Sequence, residues 1–145
     1  MVPSPFSSFW KLGWPLMMYR SFPTESRKTR LLGRLLSTPD DEDWGPFLAE
    51  AFRAYRLDMR VPALTKDHQL DELEAPTLVI AADDDLSFPG ERMLARAGEV
   101  IPNLEATELV EGCRHCPPTT DDFRQWLGER IERFLSATPV ANAAQ

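Results

Sequence analysis

Two side chains in this sequence have the types and spacing to work as a pair. They are Asp85, the last of the run Asp83-Asp84-Asp85, and His115, thirty residues on in Glu111-Gly-Cys-Arg-His115. A carboxylate hydrogen-bonded to one imidazole nitrogen fixes the ring's tautomer and stabilises the imidazolium that forms when the other nitrogen takes a proton. Such a pair is a general base, useful to an alcohol or thiol within about 2.6–3.2 Å. No Gly-x-Ser-x-Gly elbow occurs. The sequence therefore carries two parts of a hydrolytic triad and no nucleophile.

Other chemistries fit less well. Cys113 and Cys116 flank His115, and a thiolate beside an imidazole is reactive in principle. Neighbours along a loop rarely point at one another with attack geometry, however, because such pairs are usually adjacent in space and not in sequence. The Cys-x-x-Cys spacing also suits a redox dithiol or part of a zinc site. A redox pair usually opens a helix, whereas Pro117 and Pro118 follow directly here. A closed zinc site wants four ligands, and only His68 and scattered carboxylates remain to complete one. The aspartate triplet lacks the alternating spacing of a calcium loop. His68 lies in a polar stretch and reads as solvated. Neither metal nor cofactor is expected.

Elements must bring Asp85 and His115 together. Leu78-Val-Ile-Ala-Ala82, entered from Pro76, is a near-continuous apolar run, the pattern of a parallel strand covered on both faces. A shorter strand is expected over 105–110. A helix over 90–100 turns Met93, Leu94 and Ala97 inward and breaks at Ile101-Pro102-Asn103. A last helix over 120–135 turns Phe123, Trp126, Leu127, Ile131 and Phe134 inward. Strand, helix, strand, helix implies a right-handed parallel crossover. Side chains at the carboxyl ends of neighbouring parallel strands share one rim, where such folds bind ligands. The meeting of Asp85 and His115 thus follows from topology. Two strands make a small sheet, and the outer edge of 77–82 is expected to stand open to a partner chain.

Upstream the reading is helical. Residues 6–20 carry Phe9, Trp10, Trp14, Leu16, Met17 and Met18, interrupted by Gly13 and Pro15, as in a broken helix; such a cluster is more often core than a lid. Thr24 is a plausible N-cap for an amphipathic helix over 24–37, with Leu31, Leu32, Leu35 and Leu36 opposite Arg27, Lys28, Arg30 and Arg34. The acidic run 39–43 can cap a helix over 44–57 whose apolar face is Phe47, Leu48, Phe52, Tyr55 and Leu57. Residues 58–75 form a connector. The division expected is a helical cap-like region over 1–62, an α/β portion over 63–136 and a disordered tail over 137–145.

Length and composition bound the partners. A chain of 145 residues with 43% hydrophobic residues suits one core. With 23 acidic against 16 basic residues the net charge is -7, which repels phosphate backbones and makes nucleic acid a poor partner. No apolar run approaches the roughly 20 residues of a membrane span, and the start lacks the order of a secretory signal. Two closely spaced cysteines do not make an extracellular scaffold. A cytoplasmic protein is expected.

Residues 70–135 resemble the C-terminal third of an α/β-hydrolase-fold enzyme. In that family the acid follows a strand of the Pro-Thr-Leu-Val-Ile kind in a Gly-x-x-Asp-x-x-x-Pro context, and the histidine follows the last strand in a Gly-x-x-His context. Here the first reads Ala82-Asp83-Asp84-Asp85-Leu86-Ser87-Phe88-Pro89, with alanine in place of glycine, and the second reads Gly112-Cys113-Arg114-His115. The resemblance implies that Asp85 is the triad acid and His115 the triad base, with Asp83 and Asp84 weaker candidates. It also likens residues 6–60 to the cap that roofs the pocket. It implies a partial α/β-hydrolase fold: a two-stranded parallel sheet, flanking helices and an N-terminal helical cap. The implied activity is ester or acyl-type hydrolysis of a small substrate once an N-terminal half supplies the nucleophile. The strands for the nucleophile elbow and oxyanion loop have no counterpart in the sequence, so a truncated product, a split-enzyme half or a non-catalytic interaction module is implied, inactive alone.

Overall fold

The computed structural model describes residues 9–38, 40–55, 65–66 and 68–137. Its elements are a π-helical turn over Phe9–Gly13, α1 over Trp14–Ser21, α2 over Glu25–Leu32, α3 over Trp44–Ala54, β1 over Thr77–Ala82, α4 over Gly90–Val100, β2 over Leu104–Val110 and α5 over Asp121–Ala137. The class is mixed α/β, with a two-stranded parallel sheet.

The principal core lies among the helices. Leu16 and Tyr19 from α1, Leu31 and Leu32 from α2, Leu36 beyond it and Ala49 from α3 are all buried together. Leu31 is fully buried, because the 24–37 repeat places its leucines on one stripe against both neighbouring helices. The Thr24 hydroxyl accepts from the Arg27 amide at 3.4 Å, as an N-cap should. The helix stops earlier than the repeat predicts. After Leu32 the chain tightens through turns at Gly33–Leu35, and Leu36 leaves to pair with Cys116. Tertiary pairing outweighs local periodicity there.

Other expectations are corrected in the same layer. Trp10, Trp14 and Met17 are 42–50% exposed, not core, since α1 faces the other helices through Pro15, Leu16 and Tyr19. Phe47 and Tyr55 are exposed too. α3 is buried through Gly45 and Ala49, where small side chains let helices approach, with Leu48 and Phe52 packed beside them. α3 ends at Ala54; Leu57 lies outside the described residues, as do 58–64 and 67 of the expected connector and 138–145 of the expected tail. Described residues 68–72 form turns.

β1 and β2 pair from Leu78↔Ala106 to Ala82↔Val110, with one irregularity between Thr77 and Leu78. α4 packs across both strands. Of β1 only Ala81 is buried, so the strand is less covered than its apolar run predicts. One cause is α5, which buries none of its side chains and is tied to β2 by Arg130 donating to Glu108 at 2.7 Å. Ile131, expected inward, is 42% exposed, and Met93 of α4 is also exposed. Among the described residues no helix is long and apolar enough to cross a membrane.

The join of β1 to α4 depends on Gly90. A Cβ there would fall 2.5 Å from the Ala82 carbonyl oxygen and 2.6 Å from Leu109 Cδ1. Neither can yield cheaply, since one is strand backbone and the other fills the strand–helix interface. Gly90→Ala is therefore expected to destabilise by about 1–3 kcal/mol, the usual cost of overpacking, read as a lower denaturant midpoint. An unchanged midpoint would show that α4 can pivot off the strand ends.

Candidate acid-base site

The carboxyl ends of β1 and β2 deliver two short loops to one rim. The Asp85 carboxylate lies 3.0 Å from His115 through Oδ2 and Nδ1. Its other oxygen accepts from the amides of Ser87 at 2.7 Å and Phe88 at 3.0 Å, a local turn that fixes the carboxylate's direction. The Asp85 side chain is 10% exposed and that of His115 42%. An acid held inside and an imidazole reaching outward is the order a general base requires. With Nδ1–H donated to Asp85, Nε2 is the nitrogen left to take a proton. The Phe88 ring stacks on the imidazole, centroids 6.1 Å apart and 27° between planes.

The electrostatics agree with the geometry. Burial pushes the Asp85 carboxyl up, but the His115 hydrogen bond and the Phe88 and Ser87 amides together outweigh it and hold the group below its ordinary value. The Asp85 hydrogen bond raises His115 above its ordinary value against the opposing effect of burial. Each partner favours the charged form of the other.

Asp83 and Asp84, the weaker candidates for the acid, do different work. Asp83 accepts from the amides of Gly112 at 3.0 Å and Cys113 at 3.2 Å, clamping the β2 loop to the end of β1. Gly112 has φ +69°, a left-handed turn that favours glycine and presents consecutive amides to that carboxylate. Asp84 pairs with Arg114 at 3.3 Å. The single signal that could have marked Asp83 was its place at a strand end opposite the loop glycine.

The cysteines are poor nucleophiles here. Cys113 is buried, and burial raises its thiol above the usual value. Cys116, packed against the helical core, is raised by burial and by Asp85 and Asp41. Both changes reduce the thiolate fraction on which reactivity depends. His68 is exposed on its turn. Among the described residues no three His, Cys, Asp or Glu side chains gather as a metal site, and His115 is engaged through Nδ1 with Asp85.

Sequence reasoning missed the attachment of this rim to the helical layer. Asp41, buried below α3, accepts from the Asp43 amide at 3.0 Å and the Trp44 amide at 2.6 Å, and Thr119, just after the histidine loop, donates to its other oxygen. The acidic run signalled the cap, while nothing local signalled Thr119, 78 residues away. No family model matches the chain, and no curated protein or solved structure compared with it matches either.

Proposed function

We propose that this chain carries the acid–base part of a Ser-His-Asp hydrolase of the α/β-hydrolase kind, acting on small ester or acyl-type substrates with a serine supplied by another segment or chain. Asp85 orients His115, and His115 takes the serine proton on Nε2 as the serine oxygen attacks the acyl carbon. The imidazolium then returns that proton to the leaving oxygen as its bond to the acyl carbon breaks, and water repeats the cycle to free the acid. Residues 9–55 stand as the cap of a partial hydrolase fold, in keeping with their helical layer against the histidine loop.

The observation that carries this reading is the 3.0 Å contact from Asp85 to Nδ1 with the imidazole partly exposed. The test has two arms. The isolated chain is expected to cleave p-nitrophenyl esters no faster than an equal concentration of free imidazole. The chain purified with its bound partners is expected to hydrolyse them in a way that His115→Ala abolishes. Activity that survives His115→Ala in both arms overturns the assignment.

A second reading, a non-catalytic interaction module, is favoured by the edge of β1. Thr77 and Asp83 direct their amides at β2, to Asn103 at 2.9 Å and Val110 at 3.2 Å. In a parallel ladder alternate residues face opposite sides, so Leu78 and Ile80 aim their peptide groups away from β2, while the Ala82 carbonyl lies against Gly90 of α4. Such an edge is a template for a further strand. A stable complex without His115-dependent turnover would favour this reading over the first.

A further inference from the structure

The two residues on either side of His115 are both fastened to the helical layer. Before it, the Arg114 amide donates to the Ser37 hydroxyl at 2.8 Å. After it, the Cys116 amide donates to the Leu35 carbonyl at 2.8 Å, and the Cys116 carbonyl accepts from the Ser37 amide at 3.0 Å and the Ser37 hydroxyl at 2.9 Å. The Ser37 hydroxyl thus donates to one flank of the histidine and accepts from the other. The Arg114 guanidinium adds a second tie. It donates to the carbonyls of Gly33 and, at 3.3 Å, Leu36, just past the end of α2. Those carbonyls lie just beyond the C-terminal end of α2, the end of a helix near which a cation is favoured. Its Nε faces Asp84 on the β1 turn.

The histidine loop is therefore held from both sides. Asp83 and Asp84 grip it from β1, and Ser37 with the α2 terminus grips it from the helices. We infer that Arg114 and Ser37 are positioning residues for His115: they bracket it so that its ring meets Asp85, which makes the helical layer a structural determinant of the acid–base pair. This rests on the reading of Asp85 and His115 as such a pair.

A purely electrostatic role for Arg114 has the opposite signature. The titratable groups bordering the loop are Asp83, Asp84 and Asp85 from the β1 turn, Asp41 from the helical side, and Cys113 and Cys116 of the loop itself. Removing the Arg114 charge relieves repulsion of an imidazolium and frees Asp84, and both effects raise the histidine's titration midpoint. Losing the Asp85 contact lowers it.

The test is a proton NMR titration of the His115 ring in the full chain, with His68, the other of the 2 histidines, as internal reference. The variants are Asp85→Asn, Arg114→Gln and Ser37→Ala. Asp85→Asn is expected to lower the midpoint. Arg114→Gln and Ser37→Ala are each expected to give at least half of that fall while the far-ultraviolet spectrum remains folded. Ser37→Ala leaves the backbone bridge intact, so it reads the coupling even if Arg114→Gln fails to fold. An unchanged or raised midpoint in Ser37→Ala, with Asp85→Asn still lowering it, overturns the positioning role alone. No fall in Asp85→Asn overturns the pair itself.

Discussion

Leu31→Ala is expected to lower stability by about 2–5 kcal/mol, the range for deleting a buried leucine. Leu31 has no exposed surface, and its neighbours Leu16, Tyr19, Leu32, Leu36 and Ala49 come from three helices and the segment after α2. Few of them can move inward to refill the space without leaving their own contacts. Domains of this size are stable by only about 5–15 kcal/mol, so the loss is a large share of the total. At a urea dependence of about 2 kcal/mol per molar, mid-range for a small protein, the midpoint should fall by about 1–2.5 M. Leu135→Ala is the control, because Leu135 is 62% exposed on α5 and an exposed change of this kind stays within about 0.5 kcal/mol. Equal midpoints for the two variants would show that the core does not lie among the helices.

That contrast bears on how the molecule is divided. A helical cap docked on an independent α/β body would leave the larger core with the sheet. Here the sheet region buries Ala81, Ala97, Val100 and Cys113, mostly small side chains, while the bulky leucines sit upstream. Cys116 packs onto those leucines and pairs with Leu36. The two regions therefore share the histidine loop, and a variant that loosens the helices should also disturb His115.

What could be read from the sequence follows physical range. The strands, α4 and α5 were legible because their periods are local: an apolar run behind Pro76, an amphipathic repeat from Gly90, another from Asp121. Convergence of Asp85 and His115 was legible because parallel topology fixes which strand ends share a rim. The faces of α1, α3 and α5 were not. Hydrophobicity says that Trp14, Phe47 or Ile131 can be buried; whether they are depends on which neighbour arrives, and the neighbours chose Pro15, Gly45 and Ala49. The roles of Asp83, Ser37 and Arg114 were equally hidden, since each is defined by a partner 29 to 81 residues distant.

Asp85→Asn should have the largest effect on chemistry. An amide can still touch Nδ1, but it offers the ring an N–H donor as readily as an oxygen acceptor and no charge, so it neither selects the tautomer nor holds the imidazolium. In an active complex the expected loss is on the order of 10⁴-fold in turnover, as for the equivalent change in known triads. In the isolated chain the same substitution should alter the pH dependence of stability. His115 is raised in the folded protein, so its contribution is complete below its ordinary value of 6.5 and is lost as pH rises through the higher folded value. Asp85 is lowered, so its contribution is present above its ordinary value of 3.8 and is lost as pH falls through the lower folded value. The pair is therefore strongest between about pH 4 and 6.5. With the imidazole 42% exposed, solvent screening holds the gain to about 0–1 kcal/mol. Denaturant melts of both proteins across pH 3–9 should show a stability difference that peaks in that window and narrows on each side. A difference that instead grew steadily toward alkaline pH would mean that His115 is not protonated against Asp85 in the folded chain, and the acid–base pairing would have to be abandoned.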